Sequence, residues 1–377
     1  STADLASGAN RILAATIQDA AGNTVTSDNS TVVAFAKASG AGTVTGTGND
    51  TAVAGVATRA VTGALVGSVT MEATAAGLTT GTLGAFTVVH GAATQIALGG
   101  AVTDLTSGAT RVLTATIQDA AGNTVTSDNT TVVAFAKAAG TGTVSGTGND
   151  TAAAGVATKT ITGVLAGSVT MEATSAGLTT GTLGAFTVVH GAASQIALTG
   201  ATTNLTSGAT RVLTATIQDA AGNTVTSDNT TVVAFAKAAG TGTVSGTGNA
   251  TAAAGVATKT VTGALAGSVT MEATAAGLTT GTLGAFTVVH GPAADIVLTG
   301  STANLTSGAT RILTATLKDA AGNTVTSDNT TVVAFAKASG TGTVAGTGTS
   351  TASSGVAAKT ITGALAGSVT MEATATG

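Results

Sequence analysis

The chain carries one sequence four times, at a spacing of 100 residues. The string DAAGNTV that begins at Asp119 recurs unchanged at Asp19, Asp219 and Asp319, and residues 106–149 are identical to residues 206–249. A constant period of that size fits a small domain copied in tandem, and it strongly limits what the chain can do. A single catalytic pocket gains nothing from four near-identical copies, whereas reach, stiffness and many-fold binding all grow with copy number.

The composition narrows the choice. Charged residues are 8% of the chain, against about 25% in an ordinary soluble domain. Trp, Tyr and Cys are absent, so Phe supplies every ring. The surface must therefore be made of Thr, Ser, Ala, Gly and Asn. A net charge of −4 over 377 residues gives almost no electrostatic field, and the 13 basic residues form no run, so the phosphate contacts that dominate nucleic-acid binding have no source. Thr, Gly and Ser interrupt every apolar run well before the roughly 20 residues a membrane span requires, and no membrane insertion is expected of this segment. Without Cys no disulfide can hold the repeats, and each relies on a core of its own. Ser1 leads directly into a repeat with no leader-like segment, so the chain reads as a mature product or as part of a longer one.

Four domains are expected: residues 1–90, 91–190, 191–290 and 291–377. The seams fall at His90-Gly91, His190-Gly191 and His290-Gly291, each after an alternating AFTVV strand. Pro292, the only proline, follows the last seam and marks it as short and restricted. With this phasing the first domain lacks its first strand and the last lacks its closing strand. The length is four periods less 23 residues, the size of the block 78–100, so the chain reads as a window cut from a longer array. Strand exchange between molecules, as in donor-strand polymers, would need a surplus strand at one end, and both ends are deficient.

Within residues 91–190, β-branched or alternating runs at 95–98, 111–118, 131–138, 143–145, 155–162, 168–173 and 184–189 are bounded by Gly, Asn, Asp and Ser. Leu113, Ala115 and Ile117 share one face of their strand, Val133 and Phe135 of another, and Val169, Met171 and Ala173 of a third, with Thr at most alternate sites. One packed and one wet face describe an all-β, two-sheet antiparallel sandwich of seven strands. Gly or β-branched residues break every window long enough for a helix.

These residues also carry a resemblance. The strings ATIQDAAGNTV at 115–125, VVAF at 132–135, GVAT at 155–158 and AGSVTMEA at 166–173 resemble bacterial immunoglobulin-like domains of group 1, the repeats of invasin-like and intimin-like surface proteins. The resemblance extends over all four copies. It implies a tandem array of seven-stranded Greek-key immunoglobulin-like sandwiches, forming an extracellular stalk that holds a binding tip away from a cell surface. Lys159, Lys259, Lys359 and Arg59 depart from it, standing where such repeats usually have an apolar residue. Neither a lectin-like tip nor an outer-membrane barrel is present in the sequence.

The expected function is accordingly non-catalytic: a rod-like stalk or fibre of an adhesin or extracellular filament, about 150 Å long for strands of about 26 Å plus loops. Its expected partners are its own neighbouring repeats and other copies of the chain, associating laterally through a surface of few charges. A host-cell or glycan ligand would belong to a tip outside this chain. The alternative is a glycan-binding module repeated in tandem, as in phage-tail or secreted-enzyme accessory domains, although the aromatic platforms typical of sugar sites are missing.

No catalytic, cofactor or metal residue is assigned from the sequence. His90, His190 and His290 stand one per seam, too far apart for a zinc site, and read as linker residues. Asp119 and Asn123 read as turn residues around a positive-φ Gly122. Calcium is the alternative for Asp119 and Asp128, with fewer carboxylates than it usually takes. Lys137, Lys159 and Glu172 are taken as the only regularly repeated charges within strands. The two lysines read as snorkelling stems loosely paired to Glu172, with an intramolecular isopeptide bond as the alternative. The Asn-x-Ser/Thr triplets at Asn29, Asn49, Asn129, Asn149, Asn204, Asn229, Asn249, Asn304 and Asn329 mark exposed turns, with glycosylation left open. The Thr-x-Thr spacing at Thr141 and Thr143 is like that of ice-binding faces, but the 100-residue period argues against such a solenoid.

Overall fold

The computed structural model describes residues 1–375, and among these every regular element is a β-strand. The chain divides into two compact units, Ser1–His190 and Gly191–Gly377, each containing two repeats. Four separate hydrophobic cores are present, each confined to one period of the sequence.

The second repeat shows the complete pattern. One sheet runs in the order Leu105–Thr106, Gly181–Val189, Gly167–Thr174, Val132–Ala139, Gly148–Thr151, and the other in the order Val144–Ser145, Val156–Gly163, Thr110–Gln118, Gln95–Gly99. The chain changes sheet repeatedly between these strands, so the two layers fold together as one sandwich. Leu113, Ala115, Ile117, Val133, Phe135, Val169, Met171 and Ala173 are all buried between the layers, as their alternation requires.

All seven expected strands are present, and two short ones join them. Gly148–Thr151 pairs with Val132–Ala139 at the sheet edge, where its Gly-Asn-Asp composition reads as a turn. Leu105–Thr106 lies parallel to the closing strand, with Leu105 opposite Val188, so the sandwich is not wholly antiparallel. There the chain passes from the sheet of Gln95–Gly99 to the other layer and runs briefly in the direction of its neighbour. A two-residue strand has no periodicity to reveal it.

The first and fourth repeats differ at one sheet each. In the first repeat, Asn10–Thr16, Val56–Gly63 and Val44–Thr45 form a three-stranded sheet. In the fourth, the sheet of Gly348–Thr351, Val332–Ser339 and Thr370–Ala375 is also three-stranded.

Three residues, Gly140, Ala154 and Gly155, set two tight corners. Gly140 has φ +106°, and a Cβ placed there would lie 2.0 Å from the Ser168 carbonyl oxygen, so only glycine lets the chain pass this close to the neighbouring strand. Ala154 and Gly155 form the two-residue turn of the Ala153/Val156 hairpin, both at positive φ, 49° and 79°. Asn129 steadies this strained alanine by accepting the Ala154 amide at 2.8 Å. Gly140→Ala is expected to destabilise its repeat by about 2 kcal/mol or more. Ala154→Gly is expected to stabilise it by about 1 kcal/mol. Denaturant-dependent amide exchange at Ile117 and Phe135 reads both.

Candidate functional site

Within each compact unit, polar groups converge at the joint between its two repeats. The Thr110–Gln118 strand ends at Asp119, whose carboxylate folds back over the following turn. Its Oδ1 accepts the amides of Ala121 and Asn123, both at 2.9 Å. Its Oδ2 accepts the Asn123 side-chain amide at 2.9 Å and, beside the seam, the Gly91 amide at 2.8 Å. Gly91 sits tightly against the first repeat, where a Cβ would come within 2.7 Å of the Ser7 carbonyl oxygen.

Asn123 completes the joint in the other direction. Its Nδ2 donates to the Ala64 carbonyl at 2.8 Å, and its Oδ1 accepts the Val66 amide at 2.9 Å. One side chain thus satisfies both a donor and an acceptor in a loop of the preceding repeat. The second unit contains the same arrangement: Asn323 donates to the Ala264 carbonyl at 2.8 Å and accepts the Ala266 amide at 2.7 Å, while Asp319 accepts the Gly291 amide at 2.8 Å. Asp119, Asn123, Asp319 and Asn323 are all buried.

The first repeat contains the same residues without the docked loop. Asp19 accepts the Ala21 and Asn23 amides at 2.9 Å, but both Asp19 and Asn23 are exposed. The turn therefore forms locally, and its burial comes from the neighbouring repeat. Burial pushes the Asp119 carboxyl up, but the bonds from Gly91, Asn123 and Ala121 outweigh it and hold the group down at about 2 from 3.8. The Asp19 carboxyl is also lowered, chiefly by the Asn23 side chain.

The sequence identifies Asp119 and Asn123 as turn residues but not as the joint. Asp128 stands apart in a turn of its own, where it accepts the Thr130 and Thr131 amides at 3.0 and 2.9 Å and the Thr131 hydroxyl at 2.6 Å. Among the described residues no three His, Asp or Glu side chains converge. His90 and His290 place Nδ1 3.0 and 2.9 Å from the carbonyls of Gly91 and Gly291. Thr143 accepts the Leu165 amide at 3.0 Å.

The loose pairing expected of Lys159 with Glu172 is not found. Lys159 donates to the Asn149 carbonyl at 3.0 Å and lies in the other sheet from Glu172. Glu172 alternates with buried Val169, Met171 and Ala173 and so faces outward, whereas Lys137 is in phase with buried Phe135. Opposite faces of one sheet keep Lys137 and Glu172 apart.

A fourth repeated strand charge, Arg111, escapes a search for ionic partners because its partner is a ring. Its guanidinium stacks over Phe186 at 4.5 Å and donates to the Thr103 carbonyl at 2.7 Å. Arg11 over Phe86 and Arg211 over Phe286 repeat the contact, both at 4.3 Å. The constant spacing of Arg and Phe in the sequence was the available signal.

No family model and no curated protein matches the chain. Solved structures do match. The Escherichia coli adhesin FdeC is 22% identical over 75% of this chain and 92% of that one, with a TM-score of 0.32. Invasin, a bacterial integrin-binding protein, is 15% identical over 99% of this chain and 76% of that one, at 0.33. The D0-D1 domains of intimin are 18% identical over 52% of this chain and 98% of theirs, at 0.22. The repeats themselves are two-layer β-sandwiches. A β-glycosidase from Bacteroides vulgatus is also among the matches, at 12% identity and a TM-score of 0.25.

Asn123→Ala is expected to loosen the first joint by about 1 kcal/mol, since it leaves the part-buried Ala64 carbonyl and Val66 amide without their partner. Asn23→Ala, at the exposed counterpart, is expected to change stability by less than about 1 kcal/mol. Protection of the Val66 amide from exchange distinguishes the two. The pH dependence has a definite sign. A carboxyl held at about 2 in the folded state against 3.8 contributes stability that is complete above about pH 4 and is lost as pH falls through about 2. The Gly91 amide resonance is expected to titrate in that acid window, and Asp119→Asn to abolish the titration.

Proposed function

We propose that this chain is a non-catalytic structural segment of an extracellular surface protein, a stalk or fibre in which each 100-residue period is one domain. The observation that carries this reading is the joint. Asn123 and Asn323 each bridge into the preceding repeat through a buried donor and acceptor pair, and Asp119 and Asp319 hold the seam amide beside them. A flexible tether needs none of these bonds. A stalk requires repeats that fold independently and do not swivel freely, which is what separate cores and polar joints provide.

The proposed boundaries are residues 1–90, 91–190, 191–290 and 291–377. The proposed setting, outside the cell, follows from the resemblance carried by the repeat strings and from a surface made wet by hydroxyls and amides. Lateral association with other copies is the finer part of the proposal. Its basis is the low charge, together with exposed Val112, Val132, Val212 and Val232 recurring at equal positions. The competing reading, a tandem glycan-binding module, lacks an exposed aromatic platform: Phe35, Phe86, Phe135, Phe186, Phe235, Phe286 and Phe335 are all buried.

Small-angle scattering of the whole chain tests the stalk. A largest dimension of about 150 Å is expected for four sandwiches joined end to end, and a compact particle would contradict it. Sedimentation at rising concentration tests lateral association, which should be nearly insensitive to salt because it involves few charges. Specific glycan binding by a single repeat would favour the module instead.

A further inference from the structure

The two outward sheet faces of a repeat differ in charge. In the second repeat Thr110–Gln118 turns Leu113, Ala115 and Ile117 into the core and its alternate residues outward, and Val156–Gly163 beside it alternates in the same way. Register sets the outward rows: Thr110 stands opposite Thr162, Val112 opposite Thr160 and Thr114 opposite Thr158. The third repeat has the same rows, Thr210 with Thr262, Val212 with Thr260 and Thr214 with Thr258. Arg111 and Lys159 belong to these strands but fall in the inward phase, so the rows carry no charge. Within them Val112 and Val212 are each 57% exposed, and Ile12 and Ile312 hold the same position at 74% and 63%. The fourth repeat adds Asp295 and Lys318 at the margin, and these stand opposite each other.

The other outward face has an anion near its middle. Glu172 lies on an interior strand of its sheet, opposite Ala136 on one side and Thr182 on the other, and Glu72 and Glu272 repeat the position. Contact between two Glu faces would juxtapose carboxylates. Contact between a Glu face and a Thr face would bury a carboxylate against hydroxyls and methyls with no cation to meet it. Two Thr faces meet without either cost. Each hydroxyl is donor and acceptor at once, so such a face is complementary to a second copy of itself, as a two-fold contact requires.

We propose that the outward face of the Thr110–Gln118 sheet, with its counterpart in each repeat, is the surface through which one copy of the chain docks on another, Thr face to Thr face. This rests on the lateral association proposed above and names its surface. Three strands about 23 Å long and about 14 Å across present on the order of 300 Å². A pair of faces then buries on the order of 600 Å², about half of what a stable interface needs, so association depends on more than one repeat engaging at once. The exposed valine or isoleucine at the same row of every repeat supplies the apolar contact within each face.

Sedimentation of the whole chain at rising concentration tests the surface. One variant combines Ile12→Glu, Val112→Glu, Val212→Glu and Ile312→Glu. A second combines Val32→Glu, Val132→Glu, Val232→Glu and Val332→Glu, at exposed positions of the Glu172 sheet and its counterparts, and adds the same net charge. The first is expected to associate at least about tenfold more weakly than the unaltered chain, since like charges across a contact are strongly unfavourable. The second is expected to associate as the unaltered chain does. A third variant with lysine at the first four positions is expected to associate when mixed with the first variant and not alone, because pairing of these faces brings the opposite charges within a Debye length of about 10 Å. All the substituted positions are exposed, and protection of the Ile117 amide is expected to be unchanged in every variant. An unaltered chain that stays monomeric would overturn lateral association and this surface together. Association that survives the first set of substitutions, is lost equally with the second, or is not restored by mixing would overturn the surface and leave lateral association standing.

Discussion

A single carboxylate organises the end of each repeat. Asp119 turns the chain out of its strand by accepting amides two and four residues on, and the same group then has one oxygen directed at the seam. It also holds the Asn123 side chain in place, which is what lets that side chain reach Ala64 and Val66. Removing the charge would disturb the turn, the seam and the joint together, because one buried anion satisfies all three. Such a group is tolerated in the interior only because its donors are fixed before it is buried. The exposed Asp19 turn supports that order: its local bonds form without a neighbour.

The cores show how a chain so poor in aromatics still packs. Each uses two Phe residues at most, and the remaining space is filled by Val, Ala, Leu, Ile and a single Met. Small side chains permit close approach of the sheets, and glycine at Gly140 and Gly142 lets backbone meet backbone where a Cβ would overlap Ser168 or Gly167. Arg111 covers the open end of the core with its guanidinium on Phe186, so one of the few charges serves packing as much as solubility. The outward faces then retain Thr, Ser and Asn with few ionic groups, consistent with a surface that is wet but nearly fieldless.

The strand pattern was legible because burial on one side of a sheet imposes a two-residue period. Leu113, Ala115 and Ile117, or Val169, Met171 and Ala173, show it without any knowledge of their partners. The candidate site was legible only in part. Turn chemistry marks Asp119 and Asn123 through Gly122, but the atoms Asn123 bonds to, in Ala64 and Val66, lie more than fifty positions earlier. The Arg111 stack was missed for a related reason, since a ring 75 residues later does not read as a partner for a charge.

The sequence alone determined the copy number, the all-β class and the faces that form each core, because these follow from period, propensity and the removal of apolar side chains from water. Tertiary structure decided the remainder. Whether Asp19 and Asp119, in identical heptapeptides, are exposed or buried depends on a neighbouring repeat and not on their own residues. The parallel placement of Leu105–Thr106 depends on where the chain crosses between layers. Hydrogen bonds and packing between distant segments are properties of the folded arrangement, and identical local sequences take different roles as that arrangement supplies or withholds a partner.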